Sequence, residues 1–365
     1  MFDSIYRGRR VMITGHSGFK GSHLAGFLIR LGADVCGYSL PPPTEPSHFA
    51  LLGLPMPSVW GDVRDIRKMR KAFLKFRPEI VFHLAAQPLV RASYVNPVET
   101  FEINVQGACN VLEICRNCES VRAVVIVTSD KCYENRERPR GYRETDPMGG
   151  FDPYSASKGC VELVTAAYRR SFFPPEDFGK THRLLLASAR AGNVIGGGDW
   201  AADRLVPDLM RAAAEGRREE IRRPEAVRPW QHVLDPLSGY LLLGQKLLEG
   251  RKPAASGWNF GPEESGAVTV GELAGKLRTS WRAVDFDAAP RPAGPHEAHL
   301  LTLNCRKAAR RLHWHPVLTL DEAVAMTAGW YRDFYTDEKI NTAADLERYL
   351  ELAAQRDATW TKVRK

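Results

Sequence analysis

The residues able to do chemistry concentrate between positions 124 and 158. Val124-Val-Ile-Val-Thr128 is a β-branched apolar run that ends in Ser129-Asp130-Lys131, and Tyr154-Ser-Ala-Ser-Lys158 follows after a polar loop. The run reads as a buried strand that delivers a hydroxyl, an acid and an amine at its C-terminal end. Ligands of open α/β sheets bind at that edge. Tyr154 and Lys158 are four residues apart and share a face if the segment is helical. A fixed ammonium nearby favours phenolate, so Tyr154 is expected to serve as a base below the ordinary tyrosine pKa of about 10.

Elements upstream supply the frame that would hold these groups. Arg10-Val-Met-Ile-Thr-Gly15 reads as a strand that runs into Gly15-His-Ser-Gly18-Phe-Lys-Gly21 and a helical pattern to about Leu31. The spacing G-x-x-G-x-x-G between strand and helix offers a tight turn, close backbone approach to a pyrophosphate and a helix N-terminus aimed at its charge. A merely tight strand–helix turn is the plain alternative. The second strand, Asp34–Leu40, carries Tyr38 or Ser39 where a dinucleotide fold usually offers an acid to the adenosine ribose. No arginine follows to welcome a 2′-phosphate, so this strand does not choose between NAD and NADP. The third strand ends in Asp62 and Val63; Asp62 is a candidate acceptor for the adenine amino group or a helix cap, and Asp65 caps the next helix. The fourth, Ile80–Ala86, ends in Leu84, Ala85 and Ala86, small enough in sum to let a cofactor close. Gln87, Arg91 and Tyr94 follow, then a helical pattern from about Pro97 to Cys118 with Asn104 inside it. Arg183–Ala189 is the sixth strand. This alternation predicts an α/β fold built on a Rossmann-type, doubly wound parallel sheet.

Beyond Arg190–Gly198 the alternation breaks down, and the segments 203–216 and 271–281 look helical. A smaller, irregular domain is expected there, closing the crevice over a substrate. The expected division gives 1–190, joined by 232–262, to the dinucleotide and 191–365 to the substrate. The helix from about Leu320 is expected to pack on the second domain.

The chain has 365 residues, 44% hydrophobic and 26% charged, as soluble globular proteins do. Its apolar runs are strand-length, so no membrane span is expected, and Met1–Arg10 lacks the apolar core of a signal peptide, which makes the cytoplasm the expected location. The net charge of +8 is spread along the chain and mixed with acids, as in Arg217-Arg-Glu-Glu-Ile-Arg-Arg223. With no aromatic-basic module or zinc spacing, nucleic acid is not the expected partner, and an anionic small substrate fits the charge. Seven cysteines do not form a disulfide framework here, Cys115-x-x-Cys118 stands alone, and His313-x-His315 lacks further ligands, so no metal site is expected.

Taken together, Thr14-Gly-x-x-Gly-x-x-Gly21, Asp62, His83-Leu-Ala-Ala86, Asn104, the strand ending at Ser129 and Tyr154-x-x-x-Lys158 resemble the extended short-chain dehydrogenase/reductase superfamily. Within it, the chain resembles the 4,6-dehydratases of CDP-glucose. The stretches that carry this are Gly15–Ser22, Gly37–Ser47, Gln87-Pro-Leu-Val-Arg91, Thr128–Asn135 and Arg228–Asp235. His23 departs from the tryptophan often found there, and the ribose acid is missing. The resemblance implies conversion of CDP-D-glucose to CDP-4-dehydro-6-deoxy-D-glucose and water, with NAD as a recycled cofactor. It implies that Tyr154, with Lys158 and Ser129, oxidises C4, that Lys131 removes the C5 proton and that Asp130 protonates the departing C6 hydroxyl. Related dTDP-glucose dehydratases carry glutamate at the Lys131 position. Desolvation in a closed site would favour a neutral lysine and a protonated acid, whereas a simple ion pair would do the opposite.

On this reading the cofactor contacts are Gly15, Ser17, Gly18, Phe19, Lys20, Gly21, Asp62, Val63, Leu84, Ala85, Ala86, Asn104, Tyr154 and Lys158. The substrate candidates are Gln87, Arg91, Tyr94, Asn193, Arg228 and His232, the arginines being suited to paired contacts with phosphate oxygens. Rival functions are a nucleotide-sugar 4-epimerase, a dehydratase of another nucleotide sugar, and a dinucleotide-sensing protein without catalysis. The epimerase has no use for an acid and an amine after the strand. The apolar-striped helices 97–118 and 154–172 are expected to pair across an axis, as in relatives, giving a homodimer or homotetramer.

Overall fold

The computed structural model describes residues 1–263, 266–288 and 299–362. At its centre lies a parallel sheet of seven strands: β1 (Arg10–Thr14), β2 (Asp34–Ser39), β3 (Ser58–Trp60), β4 (Ile80–His83), β5 (Ala123–Val127), β6 (Leu185–Ala191) and β7 (Gly257–Phe260). Their spatial order is 7-6-5-4-1-2-3. The strands β4, β5 and β6 are buried at every position because helices cover both faces, which is why Ile80–Phe82 and Ala123–Val127 read as continuous apolar runs rather than alternating ones, while β6 buries the polar Ser188 and Arg190 as well. Strand order reverses between β1 and β4, the switch point at which such sheets open a crevice.

Among the described residues three large apolar cores, and a small fourth one of Cys132, Tyr133, Tyr142 and Leu301, hold the fold together. On one sheet face Leu24, Phe27 and Leu28 of the Phe19–Arg30 helix share a core with Leu237, Tyr240 and Leu241 of the Leu234–Leu248 helix. On the other, Met69 and Phe73, Val111 and Leu112, and Val161 pack from three helices, Ile66–Phe76, Gly107–Arg116 and Pro153–Ser171. Cys115 and Cys118 belong to this second core, and burial pushes the Cys115 thiol up, as suits a packing residue. The third core gathers Trp200, Leu209, Leu273 and Trp330 from segments after β6.

The structure departs from expectation at the end of the chain. Leu320–Asp337 joins the third core, as the amphipathic stripe predicts, but the chain then turns at Glu338, in the left-handed region at φ 52. A further helix, Thr342–Gln355, crosses back, and its Leu346, Tyr349 and Leu350 enter the first core. Tyr349 donates to Asp235 Oδ1 at 3.1 Å, and the Val317 amide donates to the same oxygen at 2.6 Å. Burial nevertheless pushes the Asp235 carboxyl up to about 7. The two ends of the chain meet here, with Phe2 stacked on Trp360 at 4.9 Å between ring centroids.

Candidate active site

A pleated strand would point Asp130 and Lys131 to opposite faces. The backbone prevents this by turning. Ser129 is extended, its Oγ accepts from the Lys131 amide at 3.2 Å, and Asp130–Cys132 forms one turn of 3₁₀ helix. Both side chains thereby line the same cavity. Lys131 Nζ lies 3.2 Å from Asp130 Oδ1 and 3.1 Å from Asn193 Oδ1. Ser129 Oγ donates to Asp130 Oδ1 at 3.0 Å. The other oxygen, Oδ2, is buried with no hydrogen-bond partner among the described residues. Such an oxygen is costly unless it carries a proton or meets a donor. Gly192 leaves it room, since a Cβ there would stand 3.1 Å away.

Tyr154 and Lys158 sit in the first turns of the Pro153–Ser171 helix. Asp152 caps it by accepting from the Ser155 amide at 2.9 Å, Pro153 occupies its first turn, and the Tyr154 amide donates to Ser93 Oγ at 3.1 Å. The Lys158 ammonium lies 6.0 Å from the centroid of the Tyr154 ring. The expected lowering of the tyrosine is not what this environment does. Burial dominates and pushes Tyr154 up to about 12, with the Ser129 hydroxyl and Arg204 opposing it and Asp130 reinforcing it. Burial also lowers Lys158 to about 8, against the pull of Cys132 and Glu162. The spacing of the two residues shows their proximity but not their desolvation.

The glycine loop after β1 forms a cradle. Gly15 has φ +78, and a Cβ on it would fall 2.6 Å from the Ala85 nitrogen, so the loops after β1 and β4 close on each other only through glycine. A Cβ on Gly21 would lie 2.1 Å from the Gly15 oxygen, which fixes the helix against the loop. Gly18 is different: a Cβ there would meet only the Gly15 oxygen, at 3.5 Å, and no side chain caps the helix that starts after it. Free amides at an uncapped helix N-terminus are what a pyrophosphate needs. Ser17 bonds Ser39 at 2.7 Å, so the end of β2 presents neutral hydroxyls where an acid was sought. The loop, Asp62, Val63 and Leu84–Ala86 all line one cavity of about 1730 Å³ that also holds the reactive residues. That exceeds the usual volume for one small ligand, about 300–1000 Å³. The residues therefore fit a dinucleotide and a second ligand together.

The structure separates other candidates. Asp62 lines the cavity, but Arg64 grips its carboxylate, with Nη2 at 2.7 Å from Oδ2, and holds it below the usual range. Asn104 is turned away from the cavity: its amide group joins the Gln87 backbone, at 2.8 and 3.1 Å, to Ser157 Oγ, at 2.8 Å. It positions the loop after β4 against the helix of Tyr154. Gln87, Arg91, Asn193 and Arg228 line the cavity. His232 and Tyr94 do not. His232 pairs through its short strand with Val194–Ile195, is 2% exposed, and burial lowers it to about 3, so it is a neutral packing residue. Arg204 lines the cavity close enough to oppose the rise of Tyr154, yet nothing in Trp200-Ala-Ala-Asp-Arg204 marks it. Glu162 stands one turn after Lys158 on a buried face, a signal legible in the spacing and not used.

Comparison with known proteins agrees with this geometry. A family described as GDP-mannose 4,6 dehydratase matches residues 12–327. The chain belongs to that family. Among relatives in the GDP-mannose 4,6 dehydratase family's wider circle, a CDP-glucose 4,6-dehydratase of Salmonella typhimurium is 48% identical over 337 residues, covering 92% of this chain and 94% of the relative. Two solved structures share the fold. A UDP-glucose 4-epimerase from Thermus thermophilus in complex with NAD has a TM-score of 0.76 at 26% identity, covering 88% of this chain and 99% of that one. A dTDP-glucose 4,6-dehydratase from Streptomyces venezuelae with NAD bound has a TM-score of 0.74 at 26% identity, covering 89% and 97%. Both the epimerase and the dehydratase chemistry thus occur on this fold, and the family's name alone does not choose the sugar nucleotide.

Proposed function

We propose that the protein is an NAD-dependent CDP-glucose 4,6-dehydratase, a hydro-lyase that turns CDP-D-glucose into CDP-4-dehydro-6-deoxy-D-glucose and water. One observation carries this reading: the Asp130–Lys131 turn opens into the same cavity as Tyr154 and Lys158. An epimerase needs only the second pair. The likeness to the Salmonella CDP-glucose enzyme supports cytosine as the base.

The glycine cradle, Ser17, Val63 and Leu84–Ala86 would hold NAD. When bound, NAD supplies a hydride acceptor and, in its oxidised form, positive charge that favours a phenolate. Tyr154 Oη takes the proton of the C4 hydroxyl, and Ser129 donates a hydrogen bond to the same oxygen. A ketone at C4 acidifies the C5 hydrogen, which Lys131 Nζ removes. Asp130, through its unpartnered Oδ2, gives a proton to the C6 hydroxyl, which leaves as water. Lys131 returns a proton to C5, Tyr154 passes the C4 hydroxyl proton to solvent and Asp130 regains one from it, so that with the hydride a bound cofactor would return at C6 the net loss is water. Arg91 and Arg228, which line the cavity, would meet the diphosphate.

Incubation with CDP-, dTDP-, UDP- and GDP-glucose, followed by mass analysis of the products, tests the reading. Loss of one water from CDP-glucose alone is expected. An isomer of unchanged mass would instead make the protein an epimerase.

In the same reading, residues 1–190 with 232–262 bind NAD and the remainder of the chain binds the sugar nucleotide. The protein works as a homodimer or larger homo-oligomer. Val95 and Val98 are 76% and 70% exposed, and Leu163 on the neighbouring Pro153–Ser171 helix is 59% exposed, an apolar patch suited to a second copy. Sedimentation at micromolar concentration should give at least twice the chain mass; a single-chain mass would refute it. Among the described residues no helix is long and apolar enough to cross a membrane. All seven cysteines are free thiols, which supports a cytoplasmic location.

A further inference from the structure

We infer that the buried Arg190–Glu162 pair is a positioning device that holds the reactive turn at both of its ends, through Thr128 before it and Tyr133 after it. Glu162 lies on the Pro153–Ser171 helix and Arg190 on β6, each about 4% exposed, with Nη2 and Oε2 2.7 Å apart. Glu162 Oε1 accepts from Thr128 Oγ1 at 2.6 Å, and Oε2 accepts from Ser188 Oγ at 2.7 Å. Arg190 Nη1 donates to Tyr133 Oη at 2.6 Å, and Tyr133 donates to Asn259 Oδ1 on β7 at 2.7 Å. Asn259 is itself anchored to the Tyr142 and Asn304 carbonyls, at 2.8 and 3.1 Å. The segment Ser129-Asp130-Lys131-Cys132 is thus gripped just before its first residue and just after its last.

Stability alone is a weak reason for such a network. A buried ion pair loses so much hydration that apolar residues of the same volume often serve as well. What the pair adds is direction: Arg190 Nε is buried without a partner among the described residues, but four elements must keep their mutual positions for the other hydrogen bonds to survive. The elements tied here are the end of β5, β6, β7 and the helix that carries Tyr154 and Lys158. Glu162 is one turn from Lys158, and its charge opposes the loss of the lysine's proton on burial. The network therefore sets the oxidation pair and the elimination pair against each other within one frame.

The two ends of the turn have different duties under the proposed dehydratase reaction, on which this assignment rests. Thr128 adjoins Ser129, which serves C4 oxidation. Tyr133 adjoins the Asp130–Cys132 turn, which serves water loss. Loosening either end should slow turnover roughly 10- to 100-fold, the scale set by small misplacements of reacting groups. The spectroscopic signature should differ. Tyr133→Phe should leave the KM for CDP-glucose unchanged and accumulate reduced nicotinamide on mixing, because oxidation outruns elimination. Thr128→Val should lower turnover without that accumulation. Ser188→Ala removes a Glu162 hydrogen bond of 2.7 Å, against 2.6 Å at each end, but touches neither end, and should lower the melting temperature while turnover stays at the wild-type level. Glu162→Gln is a poorer probe, since it strands the Arg190 charge in the interior. The positioning role is overturned if Tyr133→Phe and Thr128→Val behave like Ser188→Ala, or if Tyr133→Phe loses turnover without reduced nicotinamide appearing. If wild-type enzyme does not turn over CDP-glucose, the substrate reading fails separately, and the same variants are then read on the nucleoside diphosphate glucose that it does accept.

Discussion

A Lys131→Met variant is expected to oxidise CDP-glucose at C4 and then stop. Methionine keeps the length of the stem and removes the amine, so the C5 proton has no acceptor. Loss of a general base costs about 10²–10⁴ in rate. Reduced nicotinamide should therefore appear on mixing, to about one per active site, and persist while the release of dehydrated product falls by that factor. In deuterated solvent no label should enter C5. Dehydration at the wild-type rate with deuterium at C5 would assign the proton transfer to another group. The fold should survive, because Asp130 keeps the Ser129 hydroxyl and the lysine side chain is 25% exposed, where an ion pair contributes little. A thermal scan checks this.

Tyr154→Phe should silence both halves of the reaction. The phenol is the group placed to take the C4 proton, and without the ketone neither Lys131 nor Asp130 has anything to act on. Turnover should fall roughly 10²–10⁴-fold, with no reduced nicotinamide on mixing. This absence distinguishes it from Lys131→Met, although both lose product. The substitution deletes one hydroxyl from a ring that is held by its backbone, through the Ser93 bond and the Asp152 cap, so the helix start should not move. Accumulation of reduced nicotinamide in Tyr154→Phe would show that another base removes the C4 proton, with Lys158 the first to test.

Much of the scaffold was legible because a sheet covered on both faces writes itself as uninterrupted β-branched runs, as at Val124–Val127 and Ile80–Phe82. The glycine cradle was legible because Gly15 and Gly21 answer to backbone contacts that no other residue allows. What escaped depended on partners distant in sequence. His232 looked like a ligand residue until its short strand paired with Val194–Ile195 and buried it. The helix from about Leu320 was read as the last one, so the separate Thr342–Gln355 helix and the return of its Tyr349 to Asp235 were not read. The Tyr154 pKa was expected low from the Lys158 spacing, but desolvation acts through the whole surroundings and outweighs one neighbour. Asp130 and Lys131 were legible as a pair, while the turn that aims both inward rests on one Ser129 oxygen.

The stack of Phe2 on Trp360 has a consequence for biosynthesis. The apolar side of the Phe19–Arg30 helix, including Phe27, is closed in part by Tyr349 and Trp360, residues more than 300 positions further along the chain. At ribosomal speeds the interval between the first strand and its final cover is on the order of tens of seconds. For that time the growing chain exposes an apolar surface whose native cover has not yet been made, so the first core can close only after Trp360 has been synthesised.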